Sequence, residues 1–102
     1  MSPLRVQRVS EEELQLLLRE SGYEAMVASG KLRRKVEYNG HPSPRRSGQP
    51  RCTRSQILTY RDSTGRVVLR THRYLRRDGT LGASGKPDPK YLLYNNTIYK
   101  QV

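Results

Sequence analysis

The run RTHRYLRRDGTLGASGKPDPK (70–90) gathers side chains that can move protons and hold phosphate. Arg70, His72, Arg76, Lys86 and Asp88 would suffice for metal-independent cleavage of RNA. That reaction needs a base for the 2′-hydroxyl, an acid for the leaving oxygen, and cations to hold the charge that builds on the phosphorane. Histidine ordinarily exchanges its proton near neutrality, which makes His72 the candidate catalytic residue. The plainer role of a single histidine on a basic strand is a phosphate contact. His41 lies in a proline-rich stretch and is read as solvated.

Gly79, Gly82 and Gly85 permit backbone shapes that expose N–H groups, and Lys86 adds a cation beside them, an arrangement able to hold an anion. The run is not a P-loop. The spacing GxxxxGK fails because Thr80 stands where the first glycine belongs, and Pro87 forbids the helix that would follow. Pro87 and Pro89 should hold Asp88 and Lys90 extended. Cys52 is the single cysteine, so no internal disulfide is possible, and with two histidines it makes a poor zinc set. No metal or cofactor is expected.

The bulk composition names a partner class more clearly than a reaction. The chain has 102 residues, enough for one domain, with 20 Lys and Arg against 9 Asp and Glu and a net charge of +11. The first thirty residues set Arg5, Arg8 and Arg19 against five glutamates, so the positive charge belongs to the remainder. A basic domain behind an acidic helix is the footprint of a polyanion binder, and an acidic protein surface is the alternative partner. The apolar fraction is 33%, without Trp or Phe but with seven Tyr, which implies a small core. No apolar run approaches the ~20 residues of a membrane span, so the protein is expected to be soluble and cytoplasmic, with no membrane partner.

The elements that would position these residues can be read in turn. In VSEEELQLLLRESG, Ser10 is placed to cap a helix with Glu13 at N3, Leu14, Leu17 and Leu18 share one face, and Gly22 is the stop. YEAMVAS suggests a short second turn ended by Gly30. KLRRKVEY (31–38) reads as a strand with a basic face. NGHPSPRRSGQPR (39–51) is too rich in Pro and Gly for a helix or a central strand and is expected to be a mobile loop or arm. RSQILTYR and RVVLRTHRYLRR flank the turn DSTG, and YLLY and TIYK flank Asn95-Asn96, so two hairpins are predicted. The predicted fold is a single α+β domain (1–102): one N-terminal helix packed on a small antiparallel sheet of three to five strands, with a long basic Pro/Gly-rich loop.

A four-residue DSTG loop would set Arg61 opposite Arg66 and Leu58 opposite Leu69. Leu58, Tyr60, Val67, Leu69 and Leu75 then form the core face. Thr59, Arg61, Arg66, Arg70, His72, Tyr74 and Arg76 form the other, with Ile57 and Val68 misplaced among them. A one-residue slip would exchange the faces. Arginine forks suit phosphate oxygens and tyrosine rings suit unpaired bases. The candidate nucleic-acid-binding residues are therefore Arg33, Arg34, Lys35, Arg45, Arg46, Arg61, Arg66, Arg70, Tyr74, Arg76, Arg77, Lys86 and Lys90. Tyr60 belongs to the core, and other tyrosines could equally be filling a core that lacks Phe and Trp.

The stretch HRYLRRDGTLGASGKPDPKYLLYNNTIY resembles a group of small uncharacterised proteins of bacteria and mobile elements that carry a YLRxDGTxGxSGxPDPK motif ahead of a terminal hairpin. The likeness implies a bacterial or phage origin and no particular activity. In helix-then-sheet order, size and charge the chain is also similar to bacterial mRNA-cleaving toxins of the RelE type, a likeness of architecture alone.

The reading is thus a nucleic-acid-binding module, for RNA or single strands rather than duplex DNA, because its helix is acidic at the start, unlike a recognition helix. A small metal-independent ribonuclease or toxin using His72 is the alternative. A basic protein that docks on an acidic protein is the third.

Overall fold

The computed structural model describes residues 4–42, 44–82 and 88–102. Its elements are β1 (Arg5–Val9), α1 (Glu11–Ser21), α2 (Tyr23–Ala28), β2 (Arg33–Gly40), α3 (Pro44–Ser47), β3 (Arg54–Arg61), β4 (Val67–Leu75), β5 (Asp88–Tyr94) and β6 (Thr97–Gln101). The strands form one sheet in the order β1-β6-β5-β4-β3-β2. All neighbours are antiparallel except β1, which runs parallel to β6. The expected antiparallel sheet of three to five strands under one helix is therefore corrected, among the described residues, to a mixed sheet of six accompanied by three helices. The unforeseen strand is RVQRV, whose valines lack the period-two spacing of a half-buried strand. Its partner lies at the other end of the sequence, where no local pattern announces it.

Local chemistry sets the helices. The Ser10 hydroxyl accepts the Glu13 N–H at 3.2 Å, and Gly22, at φ 74°, ends α1 in the left-handed conformation. Leu14 and Leu18 are buried on one stripe, and Leu17 packs beside them. The Tyr23 hydroxyl of α2 donates to the Leu93 carbonyl of β5, fixing the second helix to the sheet. The core joins this stripe to Val9, Leu32, Leu58, Tyr60, Val68, Leu69, Leu92 and Leu93. Leu14, Leu58 and Leu92 are fully buried, each contributing on the order of 1.5–3 kcal/mol.

The β3–β4 hairpin forms in a register other than the expected one. Leu58 faces Thr71, Tyr60 faces Leu69, and Arg61 faces Val67, leaving Val68 as the extra residue of a bulge. Val68 is buried and Val67 only half-buried, the reverse of their expected placement. The cause lies in the turn. The Asp62 carboxylate accepts the N–H groups of Thr64 and Arg66 and the Thr64 hydroxyl, which draws Arg66 into the loop and away from Arg61. Asp78 makes the same pair of bonds to Thr80 in the turn after β4.

In β5, Tyr91 pairs with Arg70 and Pro89 with Thr71, so Lys90 bulges and the missing Pro89 N–H falls at the irregularity. Asn95 and Asn96, at φ 50° and 57°, close the last hairpin as their side chains predicted. Within 39–51, where neither helix nor central strand was expected, β2 extends through Gly40 and α3 opens at Pro44, a first-turn position where an N–H would have no helical partner and its absence costs nothing. Among the described residues, no helix is long and apolar enough to cross a membrane.

Candidate nucleic-acid interface

The two sides of the sheet differ in what they carry. Tyr60, Leu69 and Thr71 line a cleft with Leu18 and Val27 of the helices, and Gln7, Val9 and Tyr99 line another with Leu16 and Leu17. Those strand residues therefore face α1 and α2. Side chains alternate along a strand, so Arg8, Thr59, Arg70, His72, Tyr74, Tyr91 and Lys100 project to the other side, which is free of these two helices.

The strand registers align these residues into rows. One row crosses every strand: Lys35 opposite Thr59, Thr59 opposite Arg70, Arg70 opposite Tyr91, Tyr91 opposite Lys100, and Lys100 beside Arg8. The Arg70 guanidinium lies 5.8 Å from the centroid of the Tyr91 ring, a cation–π contact. The next row holds Tyr38, Ile57, His72 and Asp88, and beyond it Ser55 faces Tyr74. Tyr38 is 54% exposed, and its ring lies over Gly40 in the space a Cβ would fill. On the other flank Arg33 faces Arg61 in β2 and β3, while Ile98 of β6 faces Leu93 of β5 and neighbours Val6 of β1.

Little negative charge opposes these cations. Among the described residues both ion pairs end on Glu37, from Arg61 at 3.3 Å and Lys35 at 3.8 Å. Hydrogen bonds from the Thr59 hydroxyl and then Arg61 hold the Glu37 carboxyl below its ordinary range. Glu37 is thus a fixed anion that orients Arg61 within the basic side.

His72 is half-buried, with Nε2 2.7 Å from the Ser55 hydroxyl and its ring edge-on to Tyr74 at 4.8 Å. Burial, and then the nearby Lys90 ammonium, push its pKa below the ordinary value, while Asp88 opposes them. The imidazole therefore sits in its neutral form at neutral pH. A neutral ring can accept a proton, but its Nε2 is already engaged.

The remaining sequence candidates are dispersed. Arg33, Lys35, Arg61, Arg70 and Tyr74 share the helix-free side, whereas Arg34 faces Tyr60 across the pair and so points to the helix side. Arg66 is exposed in the Asp62 turn, and Lys90 reaches Gln101 Oε1 at 2.8 Å. Arg76, expected on the ribbon face, falls past the end of β4, where its Nε bonds Gln49 Oε1. With Arg77, Arg54, His41 and Cys52 it lines a separate cleft of about 600 Å³. Arg45 and Arg46 are exposed on α3. Lys86, with Gly85 and Pro87, lies outside the described residues. Sequence reasoning missed Lys100, which its pairing with Tyr91 brings into the row, and Arg8, which only the parallel pairing of β1 with β6 brings there. Among the described residues, no three His, Cys, Asp or Glu side chains cluster as metal ligands would. Compared with protein-family models, curated proteins and solved structures, the chain matches none of them.

Proposed function

We propose that the protein is a nucleic-acid-binding module that holds phosphates on the helix-free side of its sheet and favours RNA or single strands over duplex DNA. The observation that carries this reading is the segregation of the sheet's two sides. One side takes α1, α2 and most of the core. The other presents Arg8, Arg33, Lys35, Arg61, Arg70 and Lys100 with Glu37 as the one acid paired to them among the described residues. Guanidinium and ammonium groups spaced on a rigid sheet match the repeating charge of a phosphate backbone. Tyrosines between them supply faces for bases.

A second reading, metal-independent RNA cleavage, draws on the neutral His72 ring beside Ser55 and one row from Arg70. Incubating labelled RNA with wild type and His72→Ala in excess chelator, then running native and denaturing gels from the same tubes, separates the two. A native shift over intact RNA is the expected result. Fragments from wild type alone would support cleavage through His72 instead. Neither shift nor fragments would overturn both readings and leave an acidic protein as the partner to seek.

A further inference from the structure

We infer that the ligand is an unpaired nucleic-acid strand lying across the β-strands, along the row Lys35–Thr59–Arg70–Tyr91–Lys100–Arg8, with a base stacked on Tyr91. This rests on the nucleic-acid reading above and adds the strandedness, path and footprint of the bound chain.

The row is continuous by register from one edge of the sheet to the other, so a strand following it meets cations from β4, β6 and β1 in succession, and at β2 meets Lys35, which shares the Glu37 carboxylate with the buried Thr59 hydroxyl. Six strands at a spacing of ~4.8 Å give a track of about 24 Å. That length suits the low end of sheet-borne single-strand footprints, on the order of four nucleotides. Tyr91 sits between Arg70 and Lys100, and the guanidinium already takes up one cation–π contact with its ring. A base placed there would stack on the ring while its flanking phosphates meet those two cations. On one flank of the row lie the His72, Tyr74 and Tyr38 rings, and on the other Val6 and Ile98, of which Val6 is 62% exposed. Both flanks offer flat or apolar surface to unpaired bases. A duplex keeps its bases stacked inside and could use only the cations.

The test is fluorescence anisotropy with oligouridylates of increasing length and a duplex RNA of matched length, at one salt concentration. Affinity should rise with length up to about four to six nucleotides and then flatten toward a statistical gain, with the single strand bound at least tenfold more tightly than the duplex. Tyr91→Leu, which keeps an apolar side chain but removes the ring, should weaken single-strand binding about tenfold.

Arg8→Gln and Arg5→Gln provide a matched pair, since both lie on β1 and only Arg8 projects to the helix-free side. Each removes one charge, but Arg8→Gln should flatten the salt dependence by roughly one phosphate contact and Arg5→Gln should not. Equal effects of the two, or a duplex bound as well as the single strand, would overturn the track and leave general nucleic-acid binding standing. No binding by any nucleic acid would remove both.

Discussion

At the scale of single residues, His72 gives the most direct handle. Its ring takes up a proton near 6.5 in the unfolded chain, but burial and Lys90 delay that uptake in the fold. The unfolded state therefore binds more protons between the two values. The stabilising contribution of the neutral ring is complete above about 6.5 and is lost as pH falls through the folded value. Denaturant midpoints measured at intervals from pH 7.5 to 5.5 should fall for wild type, and His72→Asn should lose much of that slope. The depressed carboxyls of Glu37, Asp62 and Asp78 titrate below this window and do not blur it. That His72 would be half-buried was not legible from its basic neighbours. The contacts that bury it, Ser55 and Tyr74, follow from a pairing register that the sequence does not state.

At the scale of elements, what was legible is what is local. Ser10 and Gly22 bound α1 because capping is decided within a few residues, and Asn95-Asn96 closes the last hairpin for the same reason. Ser10→Ala should lower stability by about 1 kcal/mol, read as a shift in urea midpoint at unchanged slope. The β3–β4 register was misjudged because three bonds to the Asp62 carboxylate enlarge the loop and Val68 bulges, both invisible to hydrophobic alternation. The error was two positions, an even number, so Leu58 and Tyr60 kept their side of the sheet and Arg70, His72 and Tyr74 kept theirs. The helix at Pro44 is not legible because proline breaks a helix interior but is tolerated in a first turn, and the sequence does not say which position it holds.

At the scale of the whole molecule, charge was read correctly in amount but not in arrangement. The +11 was plain, yet its distribution over two sides of a six-stranded sheet needed the topology. If six phosphates are engaged, affinity should fall on the order of 10³-fold between 50 and 200 mM salt, and a flat response in filter binding would remove the nucleic-acid reading. The joining of β1 to β6 also has a kinetic side. Arg5 pairs with Thr97, so β1 has no strand partner until the far end of the chain has been made. During synthesis the β3–β4 hairpin can zip from its turn as it emerges, while β1 waits with its backbone groups open. The row from Lys35 to Arg8 reaches its full length only at that closing step, and so a nascent chain would present Arg70 to its surroundings well before Arg8 and Lys100 stand beside it.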